Sequence, residues 1–264
     1  MLEQLTFASY GPLLPISILI LLIGVFSYYF VFISAIFEPL VTQPISGPFV
    51  ALPALAFFFM VSFISLNEFS KQEAAKEILS VEQTSILHFL QMPKIKSIQQ
   101  DKISPLIKQY LDQSLQDEWI NTKNRFASNE VNQTIKSLYD IIFAPNFTCH
   151  TNANSQVNCV PLLMGKSYAE NLLNLTTARN RRIQIGQLER SHVYWFLCFG
   201  LVLVAAITVT AVHRDKKRTA LTSLAFFLTS AWLAISIIAL NYSPYRGPNS
   251  IEPTSLLIIQ NLMK

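Results

Sequence analysis

The sequence predicts an all-α, polytopic membrane protein in which four transmembrane helices form two hairpins that flank a soluble helical bundle domain. Charged residues make up 14% of the 264 residues, against about 25% in soluble domains, and they are nearly absent from four long stretches. A bilayer core about 30 Å thick requires roughly 20 apolar residues in a helix, and each stretch contains such a run. Between the second and third stretches the chain is polar and mixed in charge, with apolar residues at helical spacing.

The four apolar runs are the predicted membrane spans. They cover approximately residues 13–37, 49–66, 193–212 and 219–240. Pro53 lies inside the second run, where a proline is tolerated and usually bends a membrane helix. The segment before the first run contains Glu3 and no basic residue, so we interpret this run as a retained membrane helix and not as a cleaved signal peptide.

The polar region between the hairpins is predicted to form a helical bundle. Its apolar residues recur in four stripes at three- and four-residue intervals, without the alternation typical of strands. Ser104-Pro105 has the pattern of an N-cap followed by a first-turn proline. The fourth stripe, residues 162–188, can continue without a break into the third span. The tail contains a short apolar helix, residues 254–263, which can pack on the bundle or lie in the membrane interface. The predicted domains are a first hairpin (1–67), a soluble domain (68–190), a second hairpin (191–245) and a tail (246–264).

The patterns of charged residues and cysteines indicate on which side of the membrane the soluble domain lies. The loop of residues 213–218 holds four basic residues in six, and short basic loops stay cytoplasmic. This rule places the soluble domain in the periplasm of a bacterial inner membrane. Basic residues at the ends of the soluble domain favour the opposite orientation: Lys71 and Lys76 after the second span, and Arg179, Arg181, Arg182 and Arg190 before the third. Cys149 and Cys159 flank an uncharged loop that a disulfide could close, and disulfides belong to oxidising compartments. The alternative is a pair of unrelated thiols.

Several functional classes lack their usual residues. The sequence contains no glycine-rich phosphate loop, no zinc-protease motif and no nucleophile elbow, so we do not expect an enzyme. Cys149, His150 and Cys159 do not complete a zinc ligand set, and we expect neither a metal nor a cofactor. A net charge of +4 without a basic stripe does not indicate nucleic-acid binding. The spans lack the buried ionisable residues that ion-coupled transporters use.

The second span carries one face that could line a pore. Phe59, Phe63 and Asn67 fall at i, i+4 and i+8, and Ser62 lies on the same side of the helix. Hydroxyl, amide and aromatic groups of this kind line passive pores. The alternative is that this face packs against lipid or neighbouring helices.

Several motifs together resemble the bestrophin-like family of bacterial and plant membrane proteins. The segment Tyr110–Trp119 resembles the family's Tyr…Glu-Trp helix, and Arg179–Arg182 resembles its arginine-rich segment before the third span. Pro244-Tyr245-Arg246-Gly247 resembles the turn after the fourth span, although Asn241 stands where the family usually has an acid. Glu73, within Gln-Glu-Ala-Ala-Lys-Glu, follows the second span as in the family. The resemblance extends from about residue 12 to residue 255.

The resemblance implies a distant relation to bestrophins, which are pentameric anion channels whose second span lines the pore. We therefore expect a homo-oligomer in the lipid bilayer that conducts anions passively along an axis lined by the second span, with a ring of aromatic side chains that gates by dewetting. The expected pore-lining residues are Phe59, Ser62, Phe63 and Asn67. The residues expected to bias the electrostatic potential are Arg179, Arg181, Arg182 and Arg190. The soluble domain of bestrophins is cytosolic, which contradicts the orientation inferred from charge and cysteine.

A second functional hypothesis remains open. The protein could be a non-conducting scaffold or assembly component of the cell envelope that uses its helical domain to dock envelope proteins. An oligomer with a continuous central pore favours the channel, and its absence favours the scaffold.

Overall fold

The computed structural model describes residues 11, 13–33, 47–91, 100–144, 147–149, 160–188 and 192–263. Over these residues the protein is almost entirely helical. In chain order the helices are α1 (Leu13–Ile33), α2 (Gly47–Gln91), α3 (Gln100–Gln113), which continues as a π-helical segment (Ser114–Asn121), α4 (Asn129–Ile142), α5 (Leu162–Gln187), α6 (His192–Val212), α7 (Lys217–Leu240) and α8 (Thr254–Leu262). Two short strands, β1 (Thr148–Cys149) and β2 (Val160–Pro161), pair in parallel.

In the part of the chain that the structure describes, four helices are long and apolar enough to cross a membrane: α1, α2, α6 and α7. These helices correspond to the four predicted spans, and the prediction of an all-α membrane protein is confirmed. In hydrocarbon every backbone polar group must be paired within the protein, and a helix satisfies this requirement within one segment. Composition alone was therefore sufficient to locate these four elements.

Three predicted boundaries differ from the structure. The second span and the polar stripe after it form one helix of 45 residues, α2, which continues through Pro53. Helix α3 begins at Gln100 and contains Pro105, so Ser104 is not its N-cap. A proline this close to a helix start removes a single backbone hydrogen bond, which the helix tolerates. Helix α5 ends at Gln187 and Leu188 is not helical, so α5 and α6 are separate helices.

The chain divides into two compact units, which we call the membrane unit (residues 1–70 and 189–250) and the helical domain (residues 71–188 and 251–264). In the membrane unit, α1, α6 and α7 pack against one another pairwise. The membrane part of α2 joins their core through Phe57, Val61 and Ile64, and the Phe57 ring lies 6.2 Å from that of Phe227. An apolar core of this kind keeps α2 attached to the other three spans.

The helical domain has a core of its own. Helix α3 packs on α4 and on α8, and α5 packs on α4. The tail helix α8 buries Leu256 and Ile259, and the Gln260 amide donates a hydrogen bond of 2.7 Å to Asp112 on α3. Of the two places predicted for the tail, the structure therefore shows packing on the bundle.

Candidate functional site

Among the described residues of the membrane unit, none covers one face of α2. Phe59 and Phe63 are 64% and 72% exposed, and Ser62 and Asn67 are also exposed. The opposite face is buried, with Phe57 at 0%. The structure therefore brings the four predicted pore-lining residues to one side of one helix, away from the core that the chain forms by itself.

The composition of this face differs from that of the exposed surface of α1. The large exposed side chains of α1 are almost all apolar, as expected for a helix against lipid, whereas the α2 face combines two phenylalanines with a hydroxyl and an amide. The Ser62 hydroxyl donates to the Phe58 carbonyl at 2.8 Å, which leaves the Oγ lone pairs directed outward. In the most apolar window of α2, 22% of residues are buried, against 33% in each of the other spans.

The helical domain contains a buried network of charged side chains, centred on Arg182. Its Nε donates to Glu82 Oε2 at 2.8 Å, and its Nη2 donates to Glu118 Oε2 at 2.9 Å. Nη2 also donates to Ser114 Oγ at 2.9 Å, and Nη1 donates to Asn124 Oδ1. All five side chains are fully buried, so each charge depends on these partners instead of water.

Arg179 extends the network toward α4. Its Nε donates to both carboxylate oxygens of Glu118, at 3.0 and 3.2 Å, and its Nη1 donates to Asn132 Oδ1 at 2.8 Å. Glu118 also accepts from the backbone N–H of Ser128, the N-cap of α4, at 3.0 Å. The two guanidinium groups therefore balance the charge of the two carboxylates. Their hydrogen bonds also link four elements: α2, the π-helical segment, α4 and α5.

The π-helical segment explains how Ser114, Glu118 and Trp119 come to be buried together. Its wider turn is marked by a backbone hydrogen bond from Thr122 N–H to the Asp117 carbonyl, five residues earlier. Ser114 and Glu118 point toward Arg182, and the Trp119 ring lies 5.2 Å from the Arg182 guanidinium carbon. An aromatic face at this distance adds a cation–π interaction to the network.

A strained turn after this segment supplies the last member of the network. Lys123 and Asn124 both have positive φ angles, 49° and 60°, a conformation that few residues other than glycine adopt. This conformation carries the Asn124 backbone against Gly186 on α5. A Cβ atom at Gly186 would lie 2.0 Å from the Asn124 carbonyl oxygen. Glycine at position 186 therefore permits the approach that brings Asn124 to Arg182.

Tyr110 closes the network on the side of α3. Its hydroxyl donates a hydrogen bond of 2.6 Å to Glu82 Oε1, and the side chain is fully buried. Burial, followed by the negative charge of Glu82, raises the pKa of Tyr110 well above its ordinary value, while Arg182 acts in the opposite direction. The tyrosine therefore remains a hydrogen-bond donor to Glu82 at physiological pH.

The remaining candidate residues are placed as follows. Arg179 and Arg182 have carboxylate partners that sequence analysis did not foresee. Arg181 is exposed and lines a groove of about 340 Å³, which Glu77 also lines. Arg190 and Cys159 lie outside the described residues. Cys149 belongs to β1, whose backbone pairs with β2. Within the described ranges, no three His, Cys, Asp or Glu side chains group as metal ligands.

Glu82 is the charged member of the network that sequence analysis missed, and Asn124 and Asn132 were missed as well. It lies three residues after Leu79 and four before Ile86, both buried on the same stripe. A carboxylate at a core position of an amphipathic helix requires a buried partner, because an isolated buried charge is costly. That spacing was the available signal, but it could not identify Arg182, which is 100 residues away in the chain.

Comparison with known proteins identifies one matching family and several similar solved structures. A family model described as a Bestrophin-like domain matches residues 18–256. A bacterial bestrophin homolog from Klebsiella pneumoniae has a similar structure, with a TM-score of 0.66 at 12% identity over 94% of this chain and 97% of that chain. A membrane protein with a proline-to-alanine substitution has a TM-score of 0.67 at 13% identity, over 94% and 97% of the two chains. No curated protein matches the chain.

These similarities agree with the motifs. Tyr110, Glu118, Trp119, Arg179 and Arg182, which carry the sequence resemblance, all meet in one buried network. The solved structures share the fold at low identity, and the family model covers most of the chain from the first span to α8. The protein is therefore a membrane protein that belongs to the bestrophin-like family.

Proposed function

We propose that the protein is a homo-oligomeric channel in which the second spans of several copies, provided by α2, line an axis for the passive permeation of anions. The observation that carries this proposal is the uncovered face of α2, with Phe59, Ser62, Phe63 and Asn67. Among the described residues, no other part of the chain covers this face, and identical copies around an axis would turn it inward. Membership of the bestrophin-like family supports the same arrangement, with a pentamer as the expected oligomer.

The chemistry of the face suits a passive anion pathway. Residues 51–67 contain no acidic side chain, so a ring of α2 helices would present no negative charge along this stretch. The Asn67 amide supplies hydrogen-bond donors that can replace part of an anion's hydration shell. Phe59 and Phe63, one helical turn apart, would form two apolar rings that gate the pathway by dewetting.

For localisation we propose a bacterial inner membrane with the helical domain in the periplasm. The basic loop between α6 and α7 supports this orientation, because short loops rich in Lys and Arg stay cytoplasmic. The family resemblance implies the opposite orientation, so the redox state of Cys149 and Cys159 is the discriminating observation. In either orientation, α2 remains the proposed lining of the axis.

Paired phenylalanine substitutions test the channel. In the variant Phe59→Ala/Phe63→Ala, loss of both aromatic rings per subunit should wet the constriction and raise chloride flux into proteoliposomes. Phe226→Ala on α7 is the matched control, since Phe226 is 72% exposed, as Phe63 is, but lies outside α2. We expect its flux to equal that of the unsubstituted protein.

Oligomer mass, measured on the same samples, separates the two hypotheses. Zero flux from every sample, together with a smaller or dissociated oligomer for the double variant, would reject the channel. That result would favour the envelope scaffold, in which the α2 face serves only to pack copies together.

A further inference from the structure

A groove opens between α1 and α7 on the surface of the membrane unit. Its volume is about 390 Å³, within the range of about 300–1,000 Å³ that small-molecule sites occupy. Its walls are mainly apolar and include Leu21, Val25, Tyr29, Leu221, Ala225 and Leu228. A groove that opens from a membrane-spanning surface is accessible to lipid, so its natural occupant is an acyl chain.

One contact beside the groove and one within it fix its position along the two helices. The Trp232 indole N–H donates to Ser17 Oγ at 2.9 Å, which joins α7 to α1 near the start of α1. Gly24 allows Leu228 to pack closely, since a Cβ atom at Gly24 would lie 2.5 Å from Leu228 Cδ1. The groove is lined by residues 21–29 of α1 and residues 221–229 of α7, so it extends toward the end of α1 and the start of α7. Its shape therefore belongs to the packed pair of helices and not to one mobile side chain.

Positive charge surrounds this end of the groove. The loop before α7 and the first turn of α7 hold Arg214, Lys216, Lys217 and Arg218 against a single acid, Asp215. Lys216, Lys217 and Arg218 are exposed, and in the described part of the chain no carboxylate lies within ion-pair distance of these three. Such clusters beside membrane helices attract anionic headgroups.

Aromatic side chains connect the charges to the groove. Lys217 Nζ lies 5.8 Å from the centre of the Phe32 ring, and the Phe32 ring centre lies 4.7 Å from that of Tyr28, which lines the groove. The cation–π contact holds the ammonium group near the end of the groove, and the Tyr28 and Tyr29 side chains line the groove itself. Headgroup and acyl-chain recognition are thus adjacent.

We propose that this groove binds an anionic phospholipid. One acyl chain lies between α1 and α7 along Leu21, Val25 and Leu228, and the phosphate lies against Lys217 and Arg218. A water-soluble phosphate would use only the charges, and a zwitterionic lipid would use mainly the groove. The combination selects a lipid with both an acyl chain and a net negative headgroup.

Native mass spectrometry of the purified full-length protein tests this site. Phosphatidylglycerol or phosphatidylcholine with identical acyl chains is titrated into the detergent solution, with glycerol phosphate as a separate soluble probe. We expect tighter retention of phosphatidylglycerol than of phosphatidylcholine, and no retention of glycerol phosphate. Each of Lys217→Gln and Arg218→Gln should weaken phosphatidylglycerol binding about fivefold, since one interfacial basic residue contributes about that factor.

Two controls separate the site from general effects. Lys136→Gln/Lys166→Gln removes two charges from the helical domain and should leave phosphatidylglycerol binding unchanged.

Ala225→Leu fills the groove and should reduce binding of both lipids. Its control is Ser230→Leu, which adds the same side chain to an exposed position of α7 that does not line the groove. Binding after Ser230→Leu should equal that of the unsubstituted protein.

Equal retention of the two lipids, or unchanged phosphatidylglycerol binding after Lys217→Gln/Arg218→Gln, would overturn the proposal. Oligomer mass is read in the same spectra. If Ala225→Leu dissociates the oligomer without changing lipid retention, the groove is a contact between copies of the chain and the lipid assignment is wrong.

Discussion

Arg182 and Glu82 form a fully buried ion pair, with 2.8 Å between Arg182 Nε and Glu82 Oε2, across 100 residues of sequence. Lys76 and Glu73 form a pair with the same 2.8 Å separation, but their side chains are 58% and 73% exposed. The shortest N···O distance is the same in both pairs, and the solvent environment differs. The two pairs therefore allow the effect of burial on an ion pair to be measured in one protein.

Arg182→Met should destabilise the helical domain strongly. It leaves Glu82 and Glu118 buried with one fewer cationic partner, and loss of one member of a buried pair costs about 3–5 kcal/mol. Lys76→Met should cost no more than about 1 kcal/mol, because exposed pairs contribute little. Denaturant unfolding of both variants checks this difference. Equal costs would show that Arg182 is not needed to balance the carboxylates.

Gly186→Ala should also destabilise the domain. Alanine normally favours a helix over glycine by about 1 kcal/mol, but here its Cβ would collide with the backbone oxygen of Asn124, which cannot rotate away. Gly200 in α6 is the matched control, since a Cβ atom there meets nothing within 4 Å. We expect a lower melting temperature for Gly186→Ala and an unchanged or higher one for Gly200→Ala. Similar values for the two would contradict the close approach of Asn124.

Tyr110 should make the folding stability of the helical domain fall at alkaline pH. Its pKa is raised in the folded protein above the ordinary value of 10.0, so its contribution is complete below pH 10 and is lost as pH rises through the folded-state pKa. At neutral pH the Tyr110→Phe variant should be less stable than the unsubstituted protein by about 1.5–3 kcal/mol, because it lacks the hydrogen bond to Glu82. Phenylalanine cannot ionise, so the variant should lose less stability than the unsubstituted protein as the pH rises. Melting temperatures from pH 7 to pH 11 check both effects. Parallel pH curves for the two proteins would exclude Tyr110 as the source.

The disulfide between Cys149 and Cys159 is a prediction of the periplasmic orientation. Protein taken from membranes should show the bond in non-reducing mass spectrometry after immediate alkylation. Cys149→Ser should abolish the mass difference between reduced and unreduced samples. Complete labelling of both thiols without reductant would instead support a cytosolic helical domain, as the family resemblance implies.

The amino-acid sequence by itself determined the four spans. An apolar run of about 20 residues has no stable alternative to a helix in hydrocarbon, so composition is sufficient. Helical periodicity likewise identified the bundle, and the motifs around Tyr110, Trp119 and Arg179 indicated the family. The face of α2 that carries Phe59 and Phe63 followed from spacing alone, because i and i+4 positions always share a side of a helix.

The tertiary structure alone decided which charges meet. Nothing local in the sequence pairs Arg182 with Glu82, or places Gly186 against Asn124, since these contacts depend on how separate helices pack. The wide π-helical turn that directs Glu118 inward also has no simple sequence signature. Local spacing determines which side of a helix a residue occupies, whereas the identity of its partner depends on the arrangement of all the helices that bury it.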